Sequence, residues 1–210
     1  LLTRVFFDSY YYFDEFPYEE LNQYDKNNCK WAGGELKLNY ITSSNNHLIT
    51  GIEYIRVFKN YCALYDIGNI LFEKEKDISI FLAYIQDTYQ PFTDLSITGG
   101  IRYDYYSTFG GTINPRICLI YNTSVDGTLK LMFSSAFRAP TLYELYYFDP
   151  GIHKPNPDLE SEKFYSAEIF YEHQLFNSFS ATASIYYNQM LNLIDQVQFD
   201  DSPIQFQNLN

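Results

Sequence analysis

Few residues of this chain have the chemistry of a reacting or ligating centre, and those that do lie far apart. The three histidines, His47, His153 and His173, and the three cysteines, Cys29, Cys62 and Cys118, match no metal-ligand spacing and make no dense disulfide framework. There is no nucleophile elbow, no His-Glu-x-x-His and no glycine-rich phosphate loop, so the sequence carries no enzyme signature and implies no cofactor. What remains is recognition chemistry. Arg138, followed by Ala139-Pro140, has a guanidinium that can grip a carboxylate through two parallel bonds, and Glu144 is close by in sequence. It therefore reads either as the brace of a strand end or as a direct ligand contact. Tyr143, Tyr146, Tyr147 and Phe148 follow it, and a second cluster at Tyr10, Tyr11, Tyr12 and Phe13 is mixed with Asp14, Glu15, Glu19 and Glu20. Such rings could stack on a planar macrocycle or a catecholate chelate. They could equally form an interfacial girdle and solvated loops. The acids have no EF-hand spacing.

The elements that must position these residues are strands. Leu95, Ile97, Gly99, Ile101, Tyr103 and Tyr105 alternate with Ser96, Thr98, Gly100, Arg102 and Asp104, and Phe179 to Tyr187 alternates in the same way. No window of helical length shows a convincing apolar stripe. Turn signals divide the chain into about ten strands, near 1–8, 29–42, 46–60, 78–90, 94–106, 112–123, 128–137, 160–174, 178–195 and 203–210. The connections alternate between short turns, such as Ser43-Ser44-Asn45-Asn46, and long segments at 9–28, 61–77 and 138–159. Strands long enough to cross a bilayer when tilted, with Tyr at their ends and unequal connections at the two sides, fit an outer-membrane barrel. A soluble β-sandwich also alternates, but its strands are shorter.

Composition narrows the function classes. The 210 residues carry 22 Tyr and 18 Phe, too much ring surface for a disordered chain. A formal charge of −12 with only 14 Lys and Arg argues against a nucleic-acid partner. The longest apolar run, Ile80 to Ile85, is far too short for a transmembrane helix.

Phe133-Ser134-Ser135-Ala136-Phe137-Arg138-Ala139-Pro140-Thr141-Leu142-Tyr143-Glu144-Leu145, followed by Asn156-Pro157-Asp158-Leu159 and Glu162, resembles the barrel domain of TonB-dependent outer-membrane receptors. Gly51-Ile52-Glu53-Tyr54, Tyr84-Ile85-Gln86-Asp87, Gly100-Ile101-Arg102-Tyr103-Asp104, Asn114-Pro115-Arg116 and Tyr186-Tyr187-Asn188 are similar to further pieces of it in the same order. The resemblance implies that residues 1–210 are part of a 22-stranded antiparallel transmembrane barrel, all-β, lacking the plug domain and the C-terminal strands. About ten strands would form an open sheet with two raw edges. The implied activity is TonB-driven import of a ferric siderophore, haem or cobalamin across the outer membrane of a Gram-negative bacterium. The implied partners are the TonB complex, reached through the missing N-terminal region, outer-membrane lipid and the metal chelate. A passive porin and a hydrolase barrel are the alternatives from other classes.

Within that resemblance, haem receptors place a ligating His between the Phe-Arg-Ala-Pro and Asn-Pro-x-Leu boxes. His153 matches this position, and neutral imidazole suits haem iron. Arg138, Tyr143, Tyr146 and Tyr147 are the further candidate ligand contacts.

Hairpin arithmetic yields one more expectation. If Asn45 and Asn46 are the central turn residues, Cys29 falls directly opposite Cys62, and the periplasm through which a barrel passes permits a disulfide. A bulge would shift the register, and Cys118 would remain a lone thiol.

Overall fold

A computed structural model of the chain describes residues 1–18, 21–124, 126–149, 151–176, 178–199 and 202–209. Its strands are β1 (Leu2–Tyr18), β2 (Leu21–Ser43), β3 (Asn46–Tyr65), β4 (Ile70–Glu75), β5 (Ile78–Phe92), β6 (Leu95–Tyr106) and β7 (Gly110–Ser124). They continue as β8 (Gly127–Arg138), β9 (His153–Lys154), β10 (Glu162–Phe176), β11 (Phe179–Leu191), β12 (Leu193–Val197) and β13 (Ile204–Leu209). One short helix, α1 (Leu142–Tyr146), follows β8.

Ten strands form one antiparallel sheet in the order β1-β2-β3-β5-β6-β7-β8-β10-β11, with β4 on the upper edge of β3. The sheet is open, and β1 and β11 are its two edges. Its register sorts side chains by face. Ile85 lies opposite Ile101, Tyr103 opposite Ile113, and Phe133 opposite both Ile117 and Ala167. These apolar residues are turned outward: Ile101 is 47% exposed, Ile113 61% and Ile185 76%. On the other face Glu35 meets Glu53, Tyr84 meets Arg102, and Gly100 meets Arg116. A sheet that exposes its apolar face and carries charge on the other is inside-out relative to a water-soluble sheet. It is arranged as a barrel wall, lipid outside and a polar lumen inside.

Tight turns at Ser44-Asn45 and Thr93-Asp94 join strands at one end. At the other end the chain departs from the loops expected there. Residues 9–18 and 21–28 are not loop but ladder, because β1 and β2 stay paired from Leu2 opposite Lys37 to Tyr18 opposite Leu21. Segment 61–77 is mostly ladder as well, with β3 running to Tyr65 and β4 folding back on it. Beyond Val57, where β5 leaves β3, these strands form a ribbon above the wall. Tyr, Phe and Thr suit a pleated surface wherever their partners are. The segment 138–159 contains α1 and β9, and β9 joins β13 and β12 in a separate three-stranded sheet.

The register also corrects the disulfide expectation. Ser43 pairs with Asn46, so the central turn residues are Ser44 and Asn45, and shifts at Ile41/Ser43 and at Lys30/Trp31 follow. Cys29 consequently faces Asn60, and Cys62 faces Asn27. All three cysteines are free thiols.

Candidate functional site: the mouth of the wall

The fully buried side chains are concentrated at the ribbon end, where the segment after β8 folds over the polar face. Thr141 starts α1 as a capping box. Its hydroxyl accepts from the Glu144 N–H at 3.2 Å, while the Glu144 carboxylate accepts from the Thr141 N–H at 2.8 Å. The helix has only five residues, so tertiary contacts must hold it. Leu142 and Leu145 supply them, 7% and 1% exposed, together with Leu159 at 2%.

Arg138 ends β8 cross-strand from Glu162, the first residue of β10. Its Nε and one terminal nitrogen donate to Glu162 at 2.6 and 2.8 Å, and its two terminal nitrogens donate to Glu144 at 3.0 and 2.9 Å. Four of the five guanidinium donors are thus used on two carboxylates. Glu162 also accepts from the Ile194 N–H at 2.9 Å, which ties in β12. Of the two roles open to Arg138 in the sequence, this geometry is that of the brace. It staples β8, α1, β10 and β12 at one point.

The helical spacing of Tyr143 and Tyr147 puts both rings on one side, stacked with centroids 4.3 Å apart. Phe72 of β4 meets both edge-on, at 5.9 and 5.5 Å. Phe206 of β13 meets Tyr143 at 6.0 Å, and His153 of β9 meets Tyr147 at 4.8 Å. Burial first, and Tyr147 second, push the Tyr143 phenol above its usual 10.0, so it stays protonated. His153 Nδ1 is buried without a hydrogen-bond partner among the described residues. Tyr146, on the same helix, has the ammonium groups of Lys74 and Lys76 at 4.6 and 5.1 Å from its ring. The Asn-Pro-x-Leu box closes the cluster from below: Asn156 donates to the Phe206 carbonyl at 2.9 Å, and Gln205 donates to the Pro155 carbonyl at 2.9 Å.

The structure therefore brings together Arg138, Tyr143, Tyr146, Tyr147 and His153. It adds Phe72, Lys74, Lys76 and Phe206, which carry no sequence signal. Lys74-Glu75-Lys76 reads as a solvated charge run, and the contact of Phe72 with α1 joins strands distant in sequence. His47 lies by the Ser44-Asn45 turn against Asn39, and His173 is near the opposite end of β10 from the mouth, so neither shares the site. In the ribbon, Phe13, Tyr24 and Tyr65 stack in series, and Asp14 sits opposite Asp25. Glu19 and Glu20 lie outside the described residues.

Below the mouth the polar face holds an open depression of about 530 Å³ lined by Glu35, Glu53, Tyr84, Arg102, Asn114 and Arg116. Its carboxylates and Arg102 are held by partners within the wall. Arg4 reaches Glu35 and Glu53, Arg102 grips the fully buried Asp104, Tyr84 donates to Glu35 at 3.1 Å, and Arg116 donates to Gln86. Tyr84 crosses Gly51 to do so, and a Cβ there would stand 2.6 Å from its ring.

A polar, charge-braced wall beneath an aromatic mouth, with an apolar back, is one side of an outer-membrane barrel. Residues 3–210 match the family model "TonB dependent receptor-like, beta-barrel", and the chain belongs to that family. Membership places it in the Gram-negative outer membrane. Among solved structures, the siderophore receptor PirA from Pseudomonas aeruginosa is 19% identical with a TM-score of 0.69, over 99% of this chain and 44% of that one. PirA from Acinetobacter baumannii is 14% identical with a TM-score of 0.70, over 99% and 40%. The copper transporter OprC is 14% identical with a TM-score of 0.75, over 98% and 37%. At such identities the likeness is one of fold. The chain spans less than half the length of these proteins. No curated protein sequence matches it.

Proposed function

We propose that the protein containing this chain imports a scarce metal chelate across the outer membrane with energy delivered by TonB. The observation that carries this reading is the polar face of the wall, whose open depression of about 530 Å³ is lined by Glu35, Glu53, Tyr84, Arg102, Asn114 and Arg116 and lies beneath a segment held in place by the packed rings of Tyr143, Tyr147 and Phe72. Arg138 sets the position of that segment through Glu144 and Glu162. The solved neighbours support a metal-bearing cargo, since they are siderophore receptors and a copper transporter. The test is growth of a strain whose only iron source is haem or one defined siderophore, with the full-length gene present or deleted. Dependence on one chelate is the expected result, and identical growth on all of them removes iron import.

A second reading, haem as the cargo, is favoured by one observation: His153 holds a ring nitrogen that no described residue satisfies. In it, His153 supplies the axial bond and Tyr147 holds the ring. His153→Ala in the full receptor then weakens haem binding and alters the haem absorption spectrum while the barrel still assembles. An unchanged spectrum and affinity leave His153 a packing residue.

A further inference from the structure

Like charges directly opposite each other in a ladder are destabilising, yet Lys30 of β2 is paired with Lys59 of β3. The pairing passes from Trp31–Val57 to Lys30–Lys59, which leaves Phe58 as the extra residue of a bulge. Both lysines are on the lipid-facing side. Lys30 is in period-two step with Leu36 and Leu38, which are exposed on that face. Phe58 stacks on Phe7 at 6.0 Å, and the Lys59 ammonium lies over the Tyr61 ring at 5.9 Å. Neither lysine has a carboxylate partner: the six ion pairs among the described residues all use arginine.

Their height on the wall says what they would meet. From Tyr40, near the tight turn, to Lys30 the strand climbs ~33 Å at about 3.3 Å per residue. At a tilt of roughly 40° that is ~25 Å along the membrane normal, the height of the apolar band of an outer-membrane barrel. Leu38, Leu36, Gly34 and Ala32 occupy the band on this strand, Phe7 and Phe58 rim it, and the two ammonium groups sit at the level of the headgroups.

We propose that Lys30 and Lys59 bind a phosphate of a phosphorylated glycolipid in the outer leaflet, whose acyl chains run down past Phe58 and Leu36. A phosphate between the two ammonium groups turns their repulsion into attraction. The inference rests on membership of the barrel family and is independent of the cargo.

The test uses the full-length receptor, exchanged through detergent and read by native mass spectrometry, with diphosphoryl lipid A, its dephosphorylated form and inorganic phosphate as separate probes. The wild type should retain diphosphoryl lipid A, and the K30Q/K59Q double variant should retain it about tenfold less. Single K30Q and K59Q variants should assemble at least as stably as wild type, because each removes the repulsion. Lys130→Gln, which alters a lysine packed on Phe170, serves as the control and should retain the lipid fully. The proposal is overturned by equal retention in the double variant, equal loss in the control, or equal binding of dephosphorylated lipid A or of inorganic phosphate alone. Failure of the single variants to assemble also overturns it, since the lysines would then be serving the fold.

Discussion

The wall, made of β5, β6, β7, β8, β10, β11 and the lower parts of β1, β2 and β3, and the ribbon that the upper parts of β1, β2 and β3 form with β4, are the same ladder in two solvents, and only one of them alternates visibly. In the wall, Ile97, Ile101 and Tyr103 face lipid while Thr98, Arg102 and Asp104 face the lumen, so the period of two is written in polarity. In the ribbon both faces meet water: Tyr10 and Tyr11, on opposite faces, are 51% and 61% exposed. Backbone pairing persists without a contrast between faces. Alternation therefore reports two different surroundings, and it vanishes where the surroundings are the same.

The sharpest way to break this comparison is to place a charge on each part. Ile101→Arg puts a cation at mid-wall on the lipid face and should cost about 2–4 kcal/mol of barrel stability. Tyr11→Arg in the ribbon should change it by less than about 0.5 kcal/mol. Urea unfolding of the full receptor in lipid, followed by heat-modifiable gel mobility, measures both, and equal costs would mean that the ribbon is also in the membrane.

Gly51→Ala tests the lumen side. Its Cβ would press on the Tyr84 ring and stand 2.9 Å from the Leu36 carbonyl, for a cost of about 1–3 kcal/mol. Pairing the change with Tyr84→Phe should not relieve it, whereas Tyr84→Ala should relieve the part due to the ring.

Thr141→Ala asks whether the mouth depends on its cap. Losing the hydroxyl should loosen α1 by about 1 kcal/mol. Hydrogen exchange should rise in 139–161 and remain unchanged in β6. The smallest effect is that of pH on the same segment. A phenol whose pKa is raised by folding contributes its stability below the ordinary value of 10.0 and loses it as pH climbs through the higher folded value. Docking of 139–161 should accordingly be flat from about pH 6 to 9 through Tyr143 and weaken above about 10, with the phenolate absorbance of Tyr143 appearing late.

How far the sequence could be read follows from the same contrast. The spanning strands were legible because lipid and lumen impose opposite polarities, and the Arg138–Glu144 pairing was legible because both partners lie in one local motif. The ribbon was not, because water on both sides erases the pattern of 9–28. The Cys29–Cys62 pairing failed on register, since a turn centred one residue earlier and an unmarked bulge at Phe58 leave no trace in residue types. Phe72 and Phe206 joined the mouth through contacts that only the folded chain creates.

The two-faced wall is tested most directly by a nitroxide scan along Leu95–Tyr106 in the full receptor, reconstituted in lipid after its native cysteines are replaced. Accessibility to oxygen should peak at 97, 99, 101 and 103, and accessibility to a water-soluble nickel chelate at 98, 100, 102 and 104, in strict antiphase. Nickel accessibility that peaks at Ile101, or that shows no period of two, would contradict the account.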